Sequence, residues 1–307
     1  MQGRIPGALV LKIGAVTVLC WAGATSVEAQ VQAPVADPSG VIGAIRRLPS
    51  GPPEPTPRLK DGTVNLGRPS GEKGVWGLPV IANFAGVASG VPKDFKSNLR
   101  SGALAEPHIP FQPWAAALYN YNSVNLSKFD PEGYCLPPGG PRLMATPFPM
   151  EVIQLPEENR IIMIYEGGTH IWREIYMDGR PHPRLDAIDG QTYLGHSVGR
   201  WEGDTLVIDS TGYNEGTWLD QWGHPHTSQL RVIEKITRPN KSTMHYEATI
   251  DDPGAYTRPW TISWDIPWAT RQELREYICQ ENNIWIHGLH DDFGKPVFYI
   301  PPPAQSR

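Results

Sequence analysis

The 307-residue chain carries 27 Lys and Arg against 32 Asp and Glu, a weak acidity that argues against nucleic acid or anionic lipid as its main partner, since both require a basic face. Thirty-two prolines, 31 glycines and 11 tryptophans point away from a helical bundle and toward a loop-rich domain with an aromatic core or an aromatic-lined pocket.

The chain opens with an export pattern. Arg4 precedes an apolar run over residues 8–24, and Val27 and Ala29 place small residues where a signal peptidase reads them. The pattern predicts a signal peptide over 1–29, cleavage before Gln30, and a periplasmic or secreted protein. Lys12 interrupts the run, which leaves it short of the roughly 20 apolar residues that a membrane anchor needs. No membrane partner is expected after cleavage. Without Arg4, Lys12 and Glu28 the remainder holds 25 basic and 31 acidic residues. It also holds two cysteines, Cys135 and Cys279, which an oxidising compartment would allow to pair; two buried thiols are the alternative.

Residues 30–60 are rich in Pro, Ala and Ser without periodicity and read as a flexible leader. Residues 61–149 read as an irregular Pro- and Gly-rich wrap containing one short helix near 113–124. There Pro113 suits a first turn, and Trp114, Ala117, Leu118 and Tyr121 recur at helical spacing. The stretch 135–142, with three prolines and two glycines, is a rigid loop.

From 150 to 307 the pattern is β, with a tail that packs back. Nine strands are expected over 150–155, 160–167, 169–177, 193–201, 204–211, 229–237, 242–250, 258–266 and 273–280. Met244, Tyr246, Ala248 and Ile250 share one face of a strand, as do Trp260, Ile262, Trp264 and Ile266. The fold class is therefore mostly β: an antiparallel meander closing into a barrel or a curved sandwich, which removes the exposed edges that an open sheet would leave.

Polar residues on apolar faces are the candidates for chemistry, because burial without a partner costs several kcal/mol. Glu234 stands among Leu230, Val232 and Ile236. As a lone carboxyl in an apolar interior it would suit general acid/base work; the alternative is a salt bridge to Arg173 or Arg200. The strand at 169–177 puts His170, Trp172, Glu174 and Tyr176 on one face, either lining a cavity or facing water. His196 and Asp209 each share a face with aliphatic neighbours. Asp220, His224 and His226 form a dense polar loop, and the His-x-His spacing admits a divalent metal as an alternative. No nucleophile elbow, phosphate loop, Cys-x-x-Cys or His-Glu-x-x-His motif is present.

The stretches 135–142, 146–150, 193–207, 223–226 and 250–253 resemble a family of exported bacterial β-rich proteins. The resemblance implies one coherent domain across about 110–280 and brings no activity, cofactor or catalytic residue with it.

These features lead to an expected exported enzyme, a lyase, isomerase or hydrolase. It acts without an organic cofactor on a small organic molecule or saccharide, through Glu234, His196, His224, His226 and His170, with Asp209 or Asp220 orienting a histidine. One alternative is a periplasmic small-ligand-binding protein whose cavity is lined by Trp172, Tyr246, Trp260 and Trp264. Another is a metal enzyme built on His224 and His226.

Overall fold

Among the described residues, nine strands close into a barrel in chain order. They are β1 (Gly74–Gly77), β2 (Pro149–Leu155), β3 (Arg160–Tyr165), β4 (Trp172–Tyr176), β5 (His196–Glu202), β6 (Thr205–Thr211), β7 (Arg231–Asn240), β8 (Thr243–Asp251) and β9 (Trp260–Thr270). The computed structural model describes residues 52–93, 95, 106–125, 128–184, 191–281 and 283, and the side chains of Thr169 and His170 lie outside that description. All these residues belong to one unit spanning Ser39–Arg307. The expected export signal, most of the expected leader and the tail beyond 283 fall outside the described residues. Among the described residues, no helix is long and apolar enough to cross a membrane.

Alternation dictates which side of each strand is dry. Met244, Tyr246, Ala248 and Ile250 of β8 are fully buried, as are Ile262 and Ile266 of β9. Each fully buried large side chain contributes about 1.5–3 kcal/mol. Eight of the nine expected strands are present, with shifted ends. The segment 273–280 is not a strand; Cys279 within it is disulfide-bonded to Cys135, with Cα atoms 5.6 Å apart. The ninth strand is β1, inside the expected wrap. It pairs with β2 through Trp76↔Met150 and with β9 through Gly74↔Thr270, and so closes the barrel. Gly74 is required there, because a Cβ would lie 2.4 Å from the Trp268 ring. With β1 in place, neither edge is left for 273–280 to join.

The leader is anchored earlier than its composition suggests. Lys241 N donates to Glu54 O, and Thr56 Oγ1 donates to Arg238 O. Arg238 is itself buried and donates to the carbonyls of Gly67 and Lys241.

The expected helix forms as α1 (Pro113–Val124), but its periodic apolar set faces outward. Trp114, Leu118 and Tyr121 are exposed, whereas Ala115, Tyr119, Asn122 and Ser123 are buried. The buried face is chosen by polar contacts: Asn122 Nδ2 donates to Gly223 O at 3.1 Å and Tyr119 Oη to Glu106 Oε1 at 2.8 Å. The expected strand 169–177 begins with one helical turn, α2 (Gly167–His170), before β4.

One pairing departs from the meander. β4 and β5 run parallel and meet only at Ile175↔Ser197 and Tyr176↔Val198. A parallel pair needs a long connection, and residues 177–195 provide it. Before β5 begins, the chain is tied to the end of β6 instead: Thr192 N donates to Gly212 O and Asn214 N to Thr192 O. Among the described residues the first half of β4 therefore has no paired strand on that side, and the wall of the barrel parts there.

Candidate functional site in the barrel wall

The opening is a cleft of about 400 Å³. Its walls are Trp172, Glu174 and Tyr176 from the outer face of β4 and residues 192–196 from the approach to β5, with Arg173 and Ser197 at its floor. A second cleft, of about 350 Å³, contains Asp61, Arg160, Arg200 and Trp201 but no histidine.

Behind the floor lies the centre of the barrel. Glu234 sits between Ile208 and Ala248 in the register of the sheet, and the small Ala248 leaves room for its carboxylate. Arg173 Nη1 donates to Glu234 Oε1 at 2.9 Å, and Nη2 also binds the carboxylate. Arg173 Nε donates to Ser197 Oγ at 3.0 Å and Nη2 to Ser210 Oγ at 2.7 Å. Tyr246 Oη donates to Glu234 Oε1 at 2.8 Å. The salt-bridge alternative for Glu234 is thus the one realised, with Arg173 as the partner. Burial disfavours the charge on Arg173, but the Glu234 charge more than offsets this, so the guanidinium titrates well above its ordinary range. Burial, and then the Glu234 charge, push the Tyr246 phenol well up.

The cleft wall carries a different pair. The loop after β4 contains Asp178, Arg180, Pro181, His182 and Pro183. Gly179 turns the chain with φ +71°, and Arg180 lies 3.8 Å over the Tyr176 ring while pairing with Asp178. This rigid loop brings His182 Nδ1 to 2.9 Å from His196 Nδ1. His182 Nε2 is 3.7 Å from Asp209 Oδ1, an ion-pair distance. Asp209 is fixed in turn by Arg231, whose Nε donates to Oδ1 at 2.9 Å. His196 also stacks on Tyr176 at 5.2 Å.

In the tautomer with a proton on His182 Nε2, the nitrogen nearer the Asp209 carboxylate, His182 Nδ1 is an acceptor. His196 Nδ1–H then donates to it, and the lone pair of His196 remains on Nε2. Burial, followed by repulsion from His182 whenever that ring is protonated and from Arg180, lowers the His196 pKa, so the ring is neutral at pH 7. Burial tends to raise the Asp209 pKa, but the Arg231 hydrogen bonds and the charges of Arg231, His182 when protonated, and Arg200 bring it down.

The remaining candidates lie elsewhere. Asp220 and His224 are fully buried, with His224 Nδ1 2.6 Å from Asp220 Oδ2. The same carboxylate accepts from the amides of Phe84, Trp222, Gly223 and His224, which folds the loop around it. The His224 ring packs against Phe111 and Tyr119. His226 donates from Nδ1 to Thr227 O and accepts at Nε2 from Thr217 Oγ1, as a satisfied buried histidine; burial lowers its pKa. The two histidines of the His-x-His thus serve separate networks. Among the described residues, no group of three or more His, Cys, Asp or Glu is arranged to hold a metal.

The four aromatic residues expected around one ligand cavity do not share one. Tyr246 and Trp260 are packed into the core, with Trp264 against it, whereas Trp172 is 65% exposed on the outer wall. This settles the two readings of the β4 face: Arg173 and Ile175 point in, and Trp172 points out. The side chain of His170 lies outside the described residues. His182, Ser197 and Ser210 were not among the sequence candidates. For His182 a signal did exist, since a histidine between two prolines projects from a rigid loop that cannot ladder.

Scans against known protein families, curated proteins and solved structures found no match for this chain.

Proposed function

We propose that the protein is an exported enzyme that performs acid/base chemistry on a small organic molecule or saccharide in the β4–β5 cleft. His196 is the proton-handling group, and His182 and Asp209 position it. The observation that carries this reading is the Nδ1–Nδ1 contact of 2.9 Å beside an open cleft: it leaves a neutral imidazole whose Nε2 has no hydrogen-bond partner among the described residues. A general base needs that combination of a free lone pair, a fixed ring and access for substrate. The Cys135–Cys279 disulfide fits an oxidising compartment. Glu234 and Arg173 serve in this reading as the rigid floor rather than as proton carriers.

The test is a turnover screen of the mature protein with small lyase, isomerase and hydrolase substrates, saccharides included. On any substrate found, His196→Gln lowers kcat/KM by on the order of 100-fold or more, and His182→Gln by less. Full turnover in His196→Gln contradicts the assignment.

A further inference from the structure

We infer that the cleft takes a neutral saccharide, stacked on Trp172; this rests on the reading of the cleft as the active site.

Among the described residues, the guanidinium groups around the cleft have carboxylate partners. Arg173 is committed to Glu234, Arg160 to Glu158 and Glu174, and Arg180 to Asp178. An anionic ligand meets no unpaired guanidinium among these, and it meets the half-buried carboxylate of Glu174 in the wall. A cationic ligand meets a carboxylate already engaged by Arg160 at 2.9 Å and by Tyr176 Oη at 3.1 Å. What the cleft does present is a row along β4 of Trp172, Glu174 and Tyr176, spaced about 6.6 Å apart as alternate residues of a strand. Tyr176 already stacks on His196 and under Arg180, so Trp172 is the large aromatic face left exposed. An exposed indole beside Glu174, His196 and Tyr193 matches the two chemistries of a pyranose: C–H faces for the ring, and hydroxyls for the hydrogen-bonding groups.

The experiment is a ligand-detected NMR titration of the mature protein with methyl β-glucopyranoside and cellobiose, alongside glucuronate and tetramethylammonium. The expected result is saturable binding of the neutral sugars, weakened about tenfold or more in Trp172→Ala. Trp172 is a surface residue, so this variant keeps the fold. Absence of sugar binding overturns the inference, as does binding confined to glucuronate or tetramethylammonium, or undiminished binding in Trp172→Ala. Each of these outcomes leaves the role of His196 to be judged by turnover alone.

Discussion

Arg173–Glu234 and His182–His196 are polar pairs only a wall's thickness apart, yet they obey opposite rules. The first is sealed: Arg173 and Glu234 expose 3% and 1% of their side chains, and their hydrogen-bonding capacity is taken up by Ser197, Ser210, Tyr246 and each other. The second stands where β4 and β5 share only two paired positions, half-buried and reachable from water. A buried ion pair fixes structure, because either partner alone is costly. A half-buried histidine pair at a break in the sheet keeps one lone pair available. The difference comes from hydrogen-bond topology more than from residue type, since a parallel seam with a long connection is what parts the wall.

The comparison can be broken at its sealed side first. Glu234→Ala leaves a buried guanidinium unpaired and is expected to cost about 3–5 kcal/mol, read as a clear fall in Tm by differential scanning calorimetry. Combining Glu234→Leu with Arg173→Met removes both charges and is expected to recover most of that loss. A cost below about 1 kcal/mol for Glu234→Ala would show that the pair is not sealed.

A smaller effect is expected from the disulfide, which bridges a separation of 144 residues. Replacing both Cys135 and Cys279 by Ser is expected to cost about 2–4 kcal/mol, measured by denaturant unfolding, while leaving the cleft intact.

The smallest effect is a pH slope. His226 has a lowered pKa in the folded state because it is buried. The unfolded chain therefore takes up its proton first, near the ordinary value of about 6.5. The contribution of this group to stability is full above that value and erodes as pH falls from there toward the lowered folded value. His226→Gln is expected to flatten the unfolding free energy over that interval.

Much of the barrel was legible because period-2 alternation survives in β7, β8 and β9, where one face is dry. The position of α1 was legible for a similarly local reason, whereas the sequence left the cysteines open between a disulfide and two buried thiols, because their pairing spans 144 residues. The buried face of α1 was not, because Asn122 and Tyr119 are drawn inward by hydrogen bonds that apolar periodicity does not record. β1 was missed because four residues, two of them glycine, carry too little pattern. In the site, Glu234 stood out as an anomaly, but its partner lies 61 residues away and sequence could offer Arg173 only as one of two choices. His196 and Asp209 were separately visible; His182, which joins them, sits in a proline-rich loop that no strand pattern covers.

The central claim is that the parted wall presents a neutral His196 held by His182. The direct measurement is a pH titration of the histidine side chains by nitrogen-15 NMR on the purified protein. The account predicts that His196 titrates below the ordinary value of about 6.5 with its lone pair on Nε2, and that His182→Gln raises this pKa by removing the repulsion between the two rings when both are protonated. A His196 that titrates at or above 6.5 and is unmoved by His182→Gln would contradict it.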